Sequence, residues 1–333
     1  MSTDVMPGKK IVVGLSLGEG DAHLVESVVG LASMLHYDII FAYAILPFQS
    51  YAYGGEGALY PLSSYEQSFR DFSESQGKEK LDELMQLAES IGKAKINISY
   101  QMSYSEPSQG LLSIAEKEKA SLIICGYHPE NEPSSDFFGM SISQSLFSDS
   151  SRPVLAIPVD KVYTFKRMIS FADDLSETSE RLFQRVYDLA KTMHTPTLHH
   201  LHINHISREK IAHMVDVVQN AIISGSITSE DNFDRETYLE NTERAALELM
   251  QRRFDSAQSR SSSQIKHLAE VSFDHTQRAI EASIDRHKPD LVVFGSHHIL
   301  NRKTLTLGKI PYQAMLSLKL PVLVITDQSL ETP

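Results

Sequence analysis

The chain has 333 residues, 41% of them hydrophobic and 22% charged, a globular composition with enough length for two domains of ordinary size. A formal net charge of −12 disfavours non-specific binding to nucleic acid, and no run approaches the ~20 apolar residues of a membrane span. The start, MSTDVMPGKK, lacks the apolar segment of a signal peptide, and the single Cys125 cannot form an internal disulfide, so a cytoplasmic, reducing location is expected.

In chain order, apolar runs predict strands over 10–16, 38–45, 95–102, 121–126 and 153–158, separated by helical patterns over 21–36, 66–92, 108–118 and 139–147. The alternation then starts again. Strands are expected over 167–172, 197–204, 264–271, 290–295 and 321–326, with helices over 178–193, 208–223, 232–258, 274–286 and 309–317. Strands alternating with helices imply parallel βαβ units with right-handed crossovers, and short runs such as SLIICG and LVVFG suit strands covered on both faces. Two segments interrupt the pattern: a Gly- and Tyr-rich loop over 47–65, and a polar, charged stretch over 206–262 that reads as an inserted helical hairpin.

The two halves are copies of one unit. Gly126 and Gly295 are 169 residues apart (295 − 126), as are Gly139 and Gly308 (308 − 139), and similar apolar runs, RPVLAIP and LPVLVIT, follow each pair. Near the start of each half, Leu24, Val28, Leu31, Ala32 and Leu35 match Leu182, Val186, Leu189, Ala190 and Met193 at an offset of 158 (182 − 24). Each set makes one apolar stripe on a helix. The expected domains are residues 1–160 and 161–333, with the boundary near Pro158–Val162.

The repeated arrangement resembles the universal stress protein family, once in each half. The resemblance implies two tandem, doubly wound, five-stranded α/β domains, a fold shared with the adenine nucleotide alpha hydrolases. Ligands of such sheets sit at the carboxyl ends of the strands. Many members of the family bind ATP there, through a loop of pattern Gly-x2-Gly-x9-Gly-Ser/Thr. The first copy has Gly126, Pro129, Gly139 and Met140 at these positions, and the second has Gly295, His298, Gly308 and Lys309, so spacing survives while the middle glycine and the hydroxyl are lost. Glu130, Glu132 and Asp136 make the first loop repulsive to phosphate; Arg302, Lys303 and Lys309 make the second attractive. The family's acidic residue after the first strand has a match in Asp174 of the second copy, beside Asp173, while the first copy reads Ser16-Leu17-Gly18-Glu19.

The resemblance therefore implies at most one retained site for a nucleotide or other anionic small molecule. It is built from Asp174, the backbone at Ile203 and Asn204, and Gly295, His298, Arg302, Lys303, Gly308, Lys309 and Ile310. ATP or AMP is the expected ligand, with Mg²⁺ entering only with the nucleotide. The reading is a stress-response binding or signalling module, either a monomeric pseudo-dimer joined by terminal strands or a homodimer, with a protein partner of unknown kind. Its alternatives are a weak ATPase using Asp174, and a nucleotide-independent scaffold or small-molecule receptor. His199, His200, His202 and His205 form same-face pairs on a strand, but a third metal ligand is not evident from the sequence and no metal is expected. Cys125 reads as packing, and no Walker A motif, dinucleotide fingerprint or serine-hydrolase elbow is present.

Overall fold

The structure is a computed structural model that describes residues 10–47, 63–92, 96–129, 141–204, 208–224, 226, 235–261, 264–296 and 309–326. The first sequence repeat contains β1 (Lys10–Gly14), α1 (Asp21–Leu35), β2 (Asp38–Ile45), α2 (Ser63–Ile91), β3 (Ile98–Tyr104), α3 (Pro107–Lys117), β4 (Leu122–Tyr127), α4 (Ile142–Asp149) and β5 (Val154–Pro158). The second contains β6 (Met168–Asp173), α5 (Glu177–Thr192), β7 (Thr197–Ile203), α6 (Arg208–Ile223), α7 (Arg235–Ser259), β8 (Lys266–Ser272), α8 (Thr276–His287), β9 (Leu291–Ser296), α9 (Lys309–Leu318) and β10 (Val322–Thr326).

By compactness the chain divides into residues 1–165 with 296–333, and residues 166–295. In the first unit β1 pairs in parallel with β2 and β4, β2 with β3, and β4 with β5, in the order β3-β2-β1-β4-β5. Strand β10 runs antiparallel to β5, Val322 opposite Ala156 and Val324 opposite Val154, so the terminal strands of the two sequence repeats are partners. The Tyr127 hydroxyl donates to the carbonyls of Met315 and Leu320, and that of Tyr163 to Lys319, which ties the same segment down. In the second unit β6 pairs in parallel with β7 and β9, and β7 with β8, in the order β8-β7-β6-β9. The fold is thus two tandem, doubly wound α/β repeats.

Each core follows from the apolar pattern. Ile11, Val12, Val13, Ile39, Phe41, Ile123 and Ile124 are buried in the first unit, as are Ile169, Phe171, Leu198 and Val293 in the second. The matched helix stripes lie on these sheets: Leu24, Val28, Leu31 and Ala32 are buried, and so are Leu182, Val186, Leu189, Ala190 and Met193. Several elements start one to three residues later than expected, and for two of them, β3 and α4, the reason is local. The Asp38 carboxylate accepts the backbone N–H of Asn97 at 2.9 Å, so β3 is entered only at Ile98. The Ser141 hydroxyl accepts the N–H of Gln144 at 3.2 Å and caps α4, which begins at Ile142.

The backbone repeats as the sequence does. Left-handed residues occur at Leu17 and Leu175, and at His36 and His194, both pairs offset by 158 (175 − 17; 194 − 36), and at Lys119 and Lys288, offset by 169 (288 − 119). These offsets are those of the matched helix stripes and of the matched glycines. L-residues enter this region at a cost of roughly 1–2 kcal/mol, so recurrence at matched places marks inherited turns. Within 206–262, α7 holds the place of α2, directly before the third strand of its repeat, and buries Met250, Arg253, Phe254 and Ala257 along one face. Helix α6 is the element without a described counterpart in the first repeat, and it exposes Met214, Val217 and Ile223.

One glycine is dictated by both dihedral and space. Gly20, at the N-cap of α1, has φ of 96°, and a Cβ there would lie 2.7 Å from Val159 Cγ2 and 2.9 Å from the Val159 carbonyl oxygen. Gly20→Ala is expected to lower the unfolding free energy by about 3 kcal/mol, combining the left-handed cost with overpacking. Urea denaturation checks it: the midpoint falls while the slope is unchanged.

Candidate functional site

The carboxyl ends of β6, β7 and β9 lie side by side in the second unit, with Asp173 opposite His202 and Ala172 opposite Phe294. Strand β6 ends at Asp173, the chain turns through Asp174 and a left-handed Leu175, and Ser176 caps α5 by accepting the N–H of Ser179. Asp173 is the polar centre of this turn. Its Oδ1 accepts the N–H of Leu175 at 2.7 Å, and its Oδ2 accepts from His200 Nε2 at 2.6 Å and Arg253 Nη1 at 2.8 Å. Arg253, reaching in from α7, also donates to Ser179 Oγ and to the carbonyls of Leu175 and Ser176. Burial would raise the Asp173 pKa, but the bond and charge of His200, the Ser179 hydroxyl and the Arg253 guanidinium outweigh it and hold the carboxyl at about 2. His200 stacks on Phe183 at 4.6 Å between centroids, and burial lowers its pKa despite the adjacent carboxylate.

The first unit builds the same turn from different residues. Leu17 is left-handed; its N–H is accepted by Asp21 Oδ2 at 2.6 Å, and its carbonyl accepts from Lys80 of α2 at 3.0 Å. In both repeats a carboxylate holds the leucine N–H and a cation from the long helix holds its carbonyl. The settings differ: Arg253 is buried, whereas the Lys80 bond is exposed. Asp21, packed under its turn without a buried cation, has its pKa raised by burial.

Among the residues nominated from the sequence, Asp174, Ile203, Asn204 and Gly295 stand at one strand edge of the second unit. Asp174 is exposed and accepts the N–H of Ser176 at 2.9 Å. Asn204 donates its N–H to the Ser272 carbonyl at 2.8 Å, in continuation of the β7–β8 ladder. Gly295 is a packing glycine, since a Cβ there would lie 2.5 Å from Leu182 Cδ1; its counterpart Gly126 would approach Val159 Cγ1 to 2.7 Å and Leu24 to 3.1 Å. The retained first glycine of each loop therefore lets the helix stripe close on the sheet. His298, Arg302, Lys303 and Gly308 lie outside the described residues. Lys309 and Ile310 open α9, with Ile310 exposed.

Sequence reasoning missed Arg253, Glu270 and His287. The β7 histidines divide between the sheet faces as alternation requires. On one face His200 meets Asp173, with His267 Nε2 3.4 Å from its Nδ1, and the His267 ring stacks on Phe254 at 4.4 Å. On the other face, buried His199 approaches Glu270 Oε2 of β8 at 3.2 Å, and His287 of α8 approaches the same oxygen at 2.9 Å. Ser283 and Arg286 donate to Glu270 at 2.8 Å each, and Ser170 lies 2.9 Å from His199 Nδ1. Same-face pairing on β7 was visible in the sequence; the partners from β8 and α8 carry no local signal.

The two leucine clamps give a comparison in which burial sets the magnitude. Arg253→Met leaves Asp173 buried without its cation and is expected to cost about 3–5 kcal/mol in chemical denaturation. Lys80→Met, at the matching place, is expected to cost less than about 1 kcal/mol because its pair is solvated. Burial also depresses His199 and His267 from 6.5 to about 4. As pH falls below 6.5 the unfolded chain takes up protons that the folded chain refuses, so stability present above 6.5 is lost progressively towards 4. Calorimetry should show the Tm falling through this window, with a shallower fall in His267→Phe.

Residues 8–158 match the model of the universal stress protein family. A universal stress protein from Archaeoglobus fulgidus DSM 4304 has the same fold over 96% of this chain and 97% of its own, with a TM-score of 0.66 at 16% identity. A functionally unknown protein from Pseudomonas aeruginosa PAO1 matches over 99% of this chain and 97% of its own, with a TM-score of 0.54 at 13% identity. No curated protein matches the chain. Among the described residues no helix is long and apolar enough to cross a membrane. The family match falls on the first repeat and the fold recurs in the second: the chain is similar to the universal stress proteins, with that fold present twice in tandem.

Proposed function

We propose that the chain is a stress-response binding module that holds one anionic small molecule, with an adenine nucleotide as first candidate, at the carboxyl edge of its second repeat. The observation that carries this reading is the convergence of Asp174, Ile203, Asn204 and Gly295 on adjacent strand ends, the place where open α/β sheets bind ligands. The division of labour between the two acids supports it. Asp173 is committed to Arg253, His200 and Leu175, while its neighbour Asp174 stays exposed on the edge. The sequence supplies Arg302, Lys303 and Lys309 to the following loop, against Glu130, Glu132 and Asp136 in the first repeat. Mg²⁺ would enter with a triphosphate, whose charge calls for it.

Calorimetric titration of the full chain with AMP, and with ATP in the presence of Mg²⁺, tests the reading. At most one site per chain is expected, weakened at least about tenfold in Lys309→Glu, which reverses one charge-assisted contact. Absence of binding at millimolar nucleotide ends the nucleotide reading, and unchanged affinity in Lys309→Glu moves the site elsewhere.

A further inference from the structure

We propose that His199, Glu270 and His287 form a binding site for a divalent transition-metal ion, zinc in the first instance. Their candidate ligand atoms all lie within 4.8 Å of one another. Both histidines already approach Glu270 Oε2, at 3.2 and 2.9 Å. Ligands held at about 2.0–2.2 Å around a tetrahedral Zn²⁺ sit roughly 3.3 Å apart, so the ion enters with sub-ångström shifts of the side chains. Two imidazoles and one carboxylate select a borderline ion of the zinc type over Mg²⁺ or Ca²⁺, which take oxygen ligands.

The surroundings orient the ligands as a metal site requires. The buried Ser170 hydroxyl lies 2.9 Å from His199 Nδ1; accepting the proton there, it leaves Nε2 as the free donor atom. Arg286 holds Glu270 Oε1 at 2.8 Å, which fixes the carboxylate with Oε2 towards both histidines; Ser283 Oγ also donates to Oε2, at 2.8 Å, and leaves that oxygen a further lone pair for the ion. The three ligands come from β7, β8 and α8, so the rigidity of the sheet sets two of them before the ion arrives. His199 is fully buried, whereas the side chains of Glu270 and His287 remain 18% and 20% exposed, which opens the fourth position to water and gives the ion a way in. The positive charge of Arg286 opposes a dication, but its side chain is 62% exposed and therefore screened. On binding, a neutral ring with its proton on Nε2 shifts to the Nδ1–H tautomer through solvent exchange, and a doubly protonated ring releases its Nε2 proton to water, so that each neutral imidazole offers its Nε2 lone pair and the ion replaces the N–H···O contacts with metal–nitrogen and metal–oxygen bonds.

Chelator-stripped full-length protein is dialysed against Zn²⁺ alone, and bound metal is measured by atomic emission; Co²⁺ absorption in the visible reports coordination. About one equivalent of zinc, a Co²⁺ band of four- or five-coordinate intensity and a raised Tm are expected. His287→Gln, a change at a partly exposed position, and Glu270→Gln should each weaken binding at least about tenfold while circular dichroism shows the fold intact. Ser170→Ala should weaken it as well, without touching the ion. The proposal is overturned if wild type binds well below one equivalent at micromolar Zn²⁺, in which case the trio is a hydrogen-bonded brace only. It is equally overturned if the equivalent persists in both His287→Gln and Glu270→Gln, which would place the ion elsewhere.

Discussion

A leucine held in the left-handed region at the end of the first strand governs each repeat. Leu17 and Leu175 turn the chain from strand into helix, and everything that packs under that helix depends on the angle of the turn. An L-residue stays in such a conformation only where its surroundings over-determine it. Here a carboxylate takes the leucine N–H and a cation from the long helix takes its carbonyl, so both flanking peptide groups are fixed. The clamp also couples elements far apart in the chain: strand end, helix start and long helix are positioned together.

The two clamps diverge in how their charges are held. In the first repeat the carboxylate comes from the start of α1 and the cation is a solvated lysine, a light and local fastening. In the second, the carboxylate comes from the strand end itself, and its charge is balanced by a buried guanidinium that makes four hydrogen bonds. A planar fork with five donors suits that task, and a lysine would leave most of the acceptors unmatched. An acid next to a strand end thus has a structural occupation before any ligand is considered. The neighbouring Asp174, one residue further, is exposed to solvent and accepts the N–H of Ser176.

Much of the architecture was legible from the chain. Apolar runs and the helix stripes located the strands and the helices on them, because burial on a sheet imposes periodicity that survives in a single sequence. The duplication was legible too, and the backbone offsets of 158 and 169 repeat the sequence offsets at Leu17 and Leu175 and at Lys119 and Lys288. The clamps were not. Lys80 is 63 residues from Leu17 and Arg253 is 78 from Leu175, and leucine is not a residue whose presence announces a left-handed turn. Likewise, alternation on β7 separated His199 from His200, but the identity of Glu270, 71 residues on, depends on the register of β8. Motif matching singled out Asp174 of two adjacent acids, while charge burial is decided by which of them faces α7. The first loop glycines were read as places for a phosphate; the closeness of Leu24 and Leu182 gives both a packing reason to persist.

The antiparallel partnership of β5 with β10 has a consequence for how the protein is made. Strand β5 ends at Pro158 and its partner begins at Val322, 164 residues later (322 − 158). At roughly 5–20 residues per second of synthesis, the edge of β5 waits on the order of ten seconds or more for the strand that covers it. During that interval the nascent first repeat presents an apolar, hydrogen-bonding strand edge to other chains on the same messenger. Strand β10 therefore covers an edge made long before it, and completion of the first unit waits on its synthesis.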